Sequence, residues 1–392
     1  MLFGPWRAVL VLGVTQILAW GALFYPPVLM MPLIAAERGW SLTFAMSGFS
    51  LALLVAGFCA PTVGGLIDRH GGHVVMSAGA LVGAFGLIGL TLTSHPVAYL
   101  ATWIVLGVAI SATLYDPAFA TLGRIFAHNA RRPITALTLA GGFASTVSWP
   151  ATQFFLSWTD WQTTYLIFAG LLALVAAPLH AFLLPRTRAA AAEKPFDANI
   201  ALPSAPLPSR GFAFVLVATA FAVYAFVPSG LAAHLLAMFG RAGIDPSTVV
   251  LIGALFGPSQ VAARLCEFVF ASNVHPLNIA RFALAMLIAG FGLLVAFGFS
   301  VPVAMVFAIM FGAANGLITI TRGAVPLALF GAAGYGRLLG RIAKPFQIMR
   351  AVAPFVLAIV VERFSDPAGL ALAAMQPSAS TVNPAAIRRP RS

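Results

Sequence analysis

Apolar residues in this chain come in long unbroken runs, unlike the strict alternation of a half-buried strand or the single apolar stripe of a soluble helix. A helix rising 1.5 Å per residue needs about 20 apolar residues to cross a hydrocarbon core ~30 Å thick. Eleven stretches meet that test, near residues 8–36, 44–66, 74–93, 97–122, 134–157, 162–184, 211–239, 247–270, 278–298, 301–328 and 344–362. The pattern predicts an all-α membrane protein. The first run follows a single basic residue, Arg7, and exceeds the apolar centre of a signal peptide, so it reads as a retained first span.

The longest polar break, 185–210, is rich in Pro, Ala and Ser and predicts a cytoplasmic linker between a six-helix bundle over 1–184 and a second helix bundle over 211–365. Residues 366–392 are expected to hold an incomplete last helix and a disordered tail. The only apolar run there, 367–375, gives ~14 Å of helix, too short to span. The chain therefore reads as two six-helix pseudo-repeats with eleven clear spans and the twelfth missing or truncated.

Composition agrees. Of 392 residues 60% are hydrophobic and 8% charged, whereas a soluble domain has roughly a quarter of its residues charged. The net charge of +12 raises nucleic acid as a partner, but the basic patches interleaved with exposed aromatics that such binding needs are missing, so none is expected. Cys59 and Cys266 both lie in apolar runs and suggest neither a disulfide framework nor a metal site. Charge also orients the chain, because cytoplasmic loops carry the excess of Lys and Arg. With the N-terminus inside, fourteen of these residues fall on the inner side and three, Arg38, Arg241 and Arg363, on the outer. A multi-pass protein of the cytoplasmic (inner) membrane with a cytoplasmic N-terminus follows.

Prolines suggest internal repetition. Tyr25-Pro26-Pro27 in span one is echoed by Tyr224 and Pro228 in span seven, and Pro61 in span two by Pro258 in span eight. Broken helices at matching places in two halves point to a central pathway. Overlaying Gly107 on Gly312 brings Asp116 beside Thr321 and Pro117 beside Arg322. Charges inside spans carry most information, since an unpaired ion in hydrocarbon costs at least ~2.5 kcal/mol. Asp116, Arg322 and Arg350 are such charges. Each is expected about six residues, hence ~9 Å, from the inner end of its span, so that all three meet in one layer. One acid cannot neutralise two arginines; Asp116 pairs with one in a gate and the other offers a two-pronged contact to an anion.

The turn after span two reads Gly64-Gly65-Leu66-Ile67-Asp68-Arg69-His70-Gly71-Gly72-His73. Glycines suit a tight turn between helices, and an acid and a base there can hold neighbouring helix ends. This segment resembles the loop signature of major facilitator superfamily transporters, at the position where that family carries it. Trp20, Gly21, Tyr25 and Gly39-Trp40-Ser41 are more distantly similar to its monocarboxylate and oxalate:formate porter branch. The resemblance covers residues 1 to about 365. It implies two six-helix bundles rocking about a central site, with Asp68 and Arg69 bracing the inner face. Gly72 stands where the family loop has its second basic residue, with His73 next to it, so a weaker or pH-sensitive brace is expected. Arg124, at the inner end of span four, joins the gating set of Asp68, Arg69, His73 and Asp116. The resemblance also ranks Tyr25, Trp149, Tyr224, Gln260 and Asn315 as pathway-lining residues, beside Arg322 and Arg350. Gln16 is a further polar candidate, and His95 and His180 are expected at the membrane interface.

No phosphate-binding loop, His-Glu-x-x-His or paired-Cys motif occurs, so no cofactor, ATP use or enzymatic chemistry is expected. The reading is a monomeric secondary transporter of a small organic anion such as a monocarboxylate, working by alternating access. Coupled protons are one option, since Asp116 and Glu267 are acids within spans; exchange and uniport are others. A drug or neutral-compound efflux transporter and a truncated, non-transporting remnant are the alternatives.

Overall fold

The computed structural model describes residues 4–186 and 207–363, and every regular element among them is helical. In the first half, α1 (Arg7–Leu23) and α2 (Pro27–Arg38) form one traverse, α3 (Leu42–His70) and α4 (Gly72–Leu92) the next two. Then come α5 (Pro96–Thr113) with α6 (Tyr115–Phe126), α7 (Arg131–Gly142) with α8 (Ala144–Trp158), and α9 (Trp161–Leu171), which continues through π-helical turns to Leu183. The second half holds α10 (Leu207–Arg241), α11 (Pro246–Ala254) with α12 (Phe256–Phe270), α13 (Pro276–Phe297), α14 (Val301–Phe330) and α15 (Tyr335–Arg363). The end at which α3 turns into α4 is called the basic end below.

Nine stretches among the described residues are long and apolar enough to cross a membrane. The fifth expected span is not one of them: its Ser, Thr, Gly and Pro residues lower its hydropathy, and it divides at Phe143, after Gly141 and Gly142, into helices of 12 and 15 residues. The eleventh, α15, starts at Tyr335 rather than near 344. Its first turns carry Arg337, Arg341 and Lys344, so a count of apolar residues begins too late. Most of the expected linker and the whole incomplete last span and tail lie outside the described residues.

Buried apolar side chains form two clusters. One draws on residues 8–184 together with Leu327, Tyr335 and Leu339; the other lies within 218–346. Equivalent close contacts recur in both. A β-carbon on Gly107 of α5 would lie 2.6 Å from the Ala52 carbonyl of α3, and one on Gly312 of α14 would lie 2.7 Å from the Phe256 carbonyl of α12.

The expected helix breaks are only partly present. The first traverse does break at Phe24–Pro26, where two consecutive prolines withhold N–H donors. In contrast, α10 runs through Pro228 and α3 through Pro61 without interruption. The break near Pro258 falls just before it, at Leu255. A further break, at Leu114, has a clear cause: Pro117 cannot donate to the Thr113 carbonyl four residues back. That carbonyl is satisfied instead by Gln16 Nε2 at 2.7 Å, and Gln16 Oε1 accepts from Trp20 Nε1 at 3.0 Å. Gln16 is thus a packing residue of the first cluster.

Candidate functional site

At the basic end, α3 and α15 cross closely enough for backbones to touch. A β-carbon on Gly64 would come within 2.0 Å of the Gly336 carbonyl, and one on Gly340 within 2.1 Å of the Ala60 carbonyl. Asp68 completes this crossing. Its Oδ1 accepts from the Gly336 N–H at 2.9 Å and its Oδ2 from the Arg337 N–H at 2.8 Å. The first N–H groups of a helix lack intrahelical partners and carry partial positive charge, so a carboxylate from the opposite half suits them. The complementary contact is at the end of α3, whose Ile67 and Asp68 carbonyls both accept from Arg124 Nη1 of α6. Arg69 does not join in; it is exposed. His73 is half-buried beside Gly71 and Arg124, and its Nδ1 has no hydrogen-bond partner.

A second link joins α7 to α12. Arg131 Nη2 meets Glu267 Oε1 at 2.7 Å and donates to the Ala271 carbonyl at 2.8 Å, while Thr135 Oγ1 donates to Glu267 Oε2 at 3.0 Å. Arg131 Nη1 also reaches the Val274 carbonyl. Reading these arginines from sequence only as topology charges missed this link; the signal was Glu267, an acid that apolar surroundings do not tolerate alone.

The third link lies deeper. Asp116 Oδ1 of α6 and Arg322 Nη2 of α14 form an ion pair at 2.8 Å. Arg322 is also 4.3 Å from the centroid of the Phe346 ring. Arg350 lies 5.7 Å from the same centroid and 4.6 Å from that of Phe24. Arg350 donates to Gln347 Oε1 at 3.3 Å. Arg350 stands further along its helix than expected, yet within electrostatic reach of both Asp116 and Arg322. Because α15 starts at Tyr335, Arg350 lies 15 residues along it, or ~22 Å, whereas Asp116 and Arg322 lie ~12–15 Å from the basic ends of their helices.

Arg264 of α12, counted from sequence among the inner-side charges, proves to be 3% exposed. It donates to the Thr138 carbonyl at 2.7 Å, to Gln260 Oε1 at 3.3 Å and to the Gly316 carbonyl at 3.4 Å. Gly142 leaves it room, since a β-carbon there would lie 2.6 Å from Arg264 Nη1. Tyr25 lies in electrostatic reach of both Arg264 and Arg350. Neither arginine has an acid within ion-pair distance among the described residues, whose buried acids Asp116 and Glu267 are taken by Arg322 and Arg131. Burying a cation without an acid partner is costly unless an anion joins it.

The remaining candidates sort by contact. Tyr224 is buried and donates to Asn315 Oδ1 at 2.6 Å, so these two form one unit within the second cluster. Gln260 faces Arg264. Trp149 is 44% exposed, one turn from Ser145, which neighbours Tyr25. His95 is exposed and accepts from the Val97 N–H, whereas His180, also near the end of its span, is buried against a neighbouring helix. It is 1% exposed and its Nε2 sits 2.8 Å from Thr15 Oγ1 of α1, one turn before the helical end at Leu183.

A family model described as Major Facilitator Superfamily matches residues 9–354. No curated protein matches the sequence. Among solved structures, the human organic anion transporter MFSD10 (TETRAN) is similar with a TM-score of 0.72 at 18% identity, covering 95% of this chain and 98% of that one. The proton:xylose symporter XylE, bound to 6-bromo-6-deoxy-D-glucose, is similar with a TM-score of 0.68 at 13% identity, covering 96% and 94%.

Proposed function

Because the chain belongs to the Major Facilitator Superfamily, and is a multi-pass membrane transporter rather than an enzyme, we propose that it moves a small organic anion across the cytoplasmic membrane by alternating access. The observation that carries the substrate class is the pair of arginines, Arg264, buried, and Arg350, half-buried, which have no acid partner among the described residues and both lie in electrostatic reach of Tyr25. A carboxylate entering between them supplies the missing negative charge and receives charge-assisted hydrogen bonds. Tyr25, Gln260 and Gln347 then offer neutral polar contacts around it, Trp149 lines the approach, and the Tyr224–Asn315 unit holds the second bundle's wall.

Two helix bundles, 1–184 with six spans and 211–365 with five, rock about this site. The basic end faces the cytoplasm, following the rule that cytoplasmic loops carry more Lys and Arg. Three cross-links, Asp68 to α15, Arg131 to Glu267 and Asp116 to Arg322, hold that end shut in the described conformation. Opening must break all three, and Asp116 is the acid through which proton coupling would act, because its protonation frees Arg322. The working unit is a monomer.

Uptake of a panel of radiolabelled monocarboxylates and dicarboxylates into proteoliposomes tests the reading, with Arg350→Gln and Arg264→Gln alongside. Truncating one partner of a buried charge pair costs about 2–5 kcal/mol, so each variant should weaken substrate affinity by about 30-fold or more. Saturable uptake that neither variant alters assigns these arginines to packing and sinks the anion reading. Uptake only of neutral compounds by folded protein favours the efflux alternative.

A further inference from the structure

Beside the α3–α15 crossing, on the side away from Asp116, lies a groove of about 450 Å³ lined by Thr62, Leu66 and Arg69 of α3 and by Arg337 and Arg341 of α15. Its charge is unbalanced among the described residues. Asp68, the one carboxylate they place in its wall, already accepts two backbone N–H bonds, so three guanidinium groups face the groove with no described acid of their own. The floor is closed by the Gly64–Gly336 and Gly340–Ala60 contacts, so the groove does not lead into the pathway between the halves. It continues instead along the outer surface. Arg337, Arg341 and Lys344 follow one another on one face of α15, and Lys344 Nζ lies 4.6 Å from the centroid of Phe58, which is 59% exposed. Lys344 stands ~13 Å along α15, at a depth where a neighbouring acyl chain would cover Phe58 and Leu66.

We propose that this groove seats the phosphate headgroup of an anionic phospholipid, held by Arg69, Arg337 and Arg341, with its acyl chains running past Leu66 and Phe58. Guanidinium forks match phosphate oxygens in pairs, and basic pockets between membrane helices suit anionic headgroups. An occupied groove ties α3 of one half to α15 of the other at the closed end, so the lipid favours the conformation described here. The arginine side chains, unlike the Arg337 N–H, take no part in the Asp68 contact, which separates the lipid site from the brace. The inference does not depend on which solute is carried.

Native mass spectrometry of the full chain tests it, with phosphatidylglycerol and phosphatidylcholine of identical acyl chains supplied in equal amounts. The protein should retain phosphatidylglycerol preferentially, and Arg337→Gln/Arg341→Gln should lower that preference by about tenfold or more. Arg132→Gln/Arg281→Gln removes two exposed charges at the same end but outside the groove, and should leave the preference unchanged. Equal loss in both double variants shows diffuse charge attraction and overturns the proposal, as does an unaltered preference in the groove variant. Displacement of the lipid by millimolar glycerol phosphate overturns it in favour of a soluble phosphate site. A matched melting profile for both variants excludes unfolding as the cause.

Discussion

Asp68→Asn is the most informative change at the closed end. The carboxylate accepts the Gly336 and Arg337 N–H groups at 2.9 and 2.8 Å, and hydrogen bonds to a charged group contribute about 1.5–3 kcal/mol each. Asparagine keeps one neutral acceptor, worth about 0.5–1.5 kcal/mol, and loses the favourable interaction with the start of α15. Asp68 is half-buried and water competes for it, so the low end of the range applies. The closed arrangement should lose about 2 kcal/mol, a factor of about 30 in the ratio of closed to open molecules. If closed molecules lead by about 20 to 1, that factor makes them a minority. The assay is pulsed electron resonance between nitroxides at the exposed positions His70 and Ala333, after Cys59 and Cys266 are replaced by serine. A longer second distance should appear or grow in Asp68→Asn. A distribution identical to that of the parent refutes the claim that this carboxylate holds the end shut.

Further outcomes follow from the same geometry. Gly64→Ala and Gly340→Ala place a β-carbon 2.0 and 2.1 Å from a facing carbonyl, so both should reproduce the longer distance and slow turnover, read by the same label pair and by uptake. Glu267→Gln strands part of the charge of Arg131 and should cost about 3–5 kcal/mol in the closed state, while Arg131→Glu with Glu267→Arg should recover part of it; a double variant no better than the worse single variant refutes the pairing. Gln16→Leu leaves the Thr113 carbonyl and the Trp20 N–H without partners in a buried place. It should cost about 1–3 kcal/mol of stability, seen as a lower melting temperature in detergent with unchanged substrate affinity.

Long apolar runs made the helical membrane fold legible, because lipid demands about 20 apolar residues per crossing whatever the rest of the protein does. The juxtaposition of Asp116 with an in-span arginine was also readable, since an isolated acid at that depth needs a cation. What escaped was anything set by how far helices extend beyond the apolar run. α15 gains nine residues before 344 because its arginines reach solvent or headgroups while the backbone stays helical, and Arg350 accordingly stands in the middle of its helix rather than six residues from its end. Proline positions misled in the opposite direction. α10 carries Pro228 without breaking, whereas Pro117 does break its span, at Leu114, where Gln16, almost a hundred positions away, supplies the missing donor.

Arg264 shows why the polar interior resists linear reading. Within its own helix it sees Gln260 one turn away, which explains nothing about its charge. Only the fold brings it against the Thr138 carbonyl of α7 and the Gly316 carbonyl of α14, two acceptors that hold the guanidinium but do not neutralise it. The acids that sequence alone would have offered it, Asp116 and Glu267, are drawn off by Arg322 and Arg131 at the links that close the basic end. The same pairing that shuts the end therefore leaves positive charge unanswered deeper in. An anion that binds there works against no acid, and its affinity should fall if the links are broken and the freed carboxylates turn inward. Measured substrate affinity in Arg322→Gln, where Asp116 loses its partner, should drop although the proposed anion site is formed by Arg264 and Arg350. Unchanged affinity in that variant would separate the gate from the site and remove the electrostatic connection argued here.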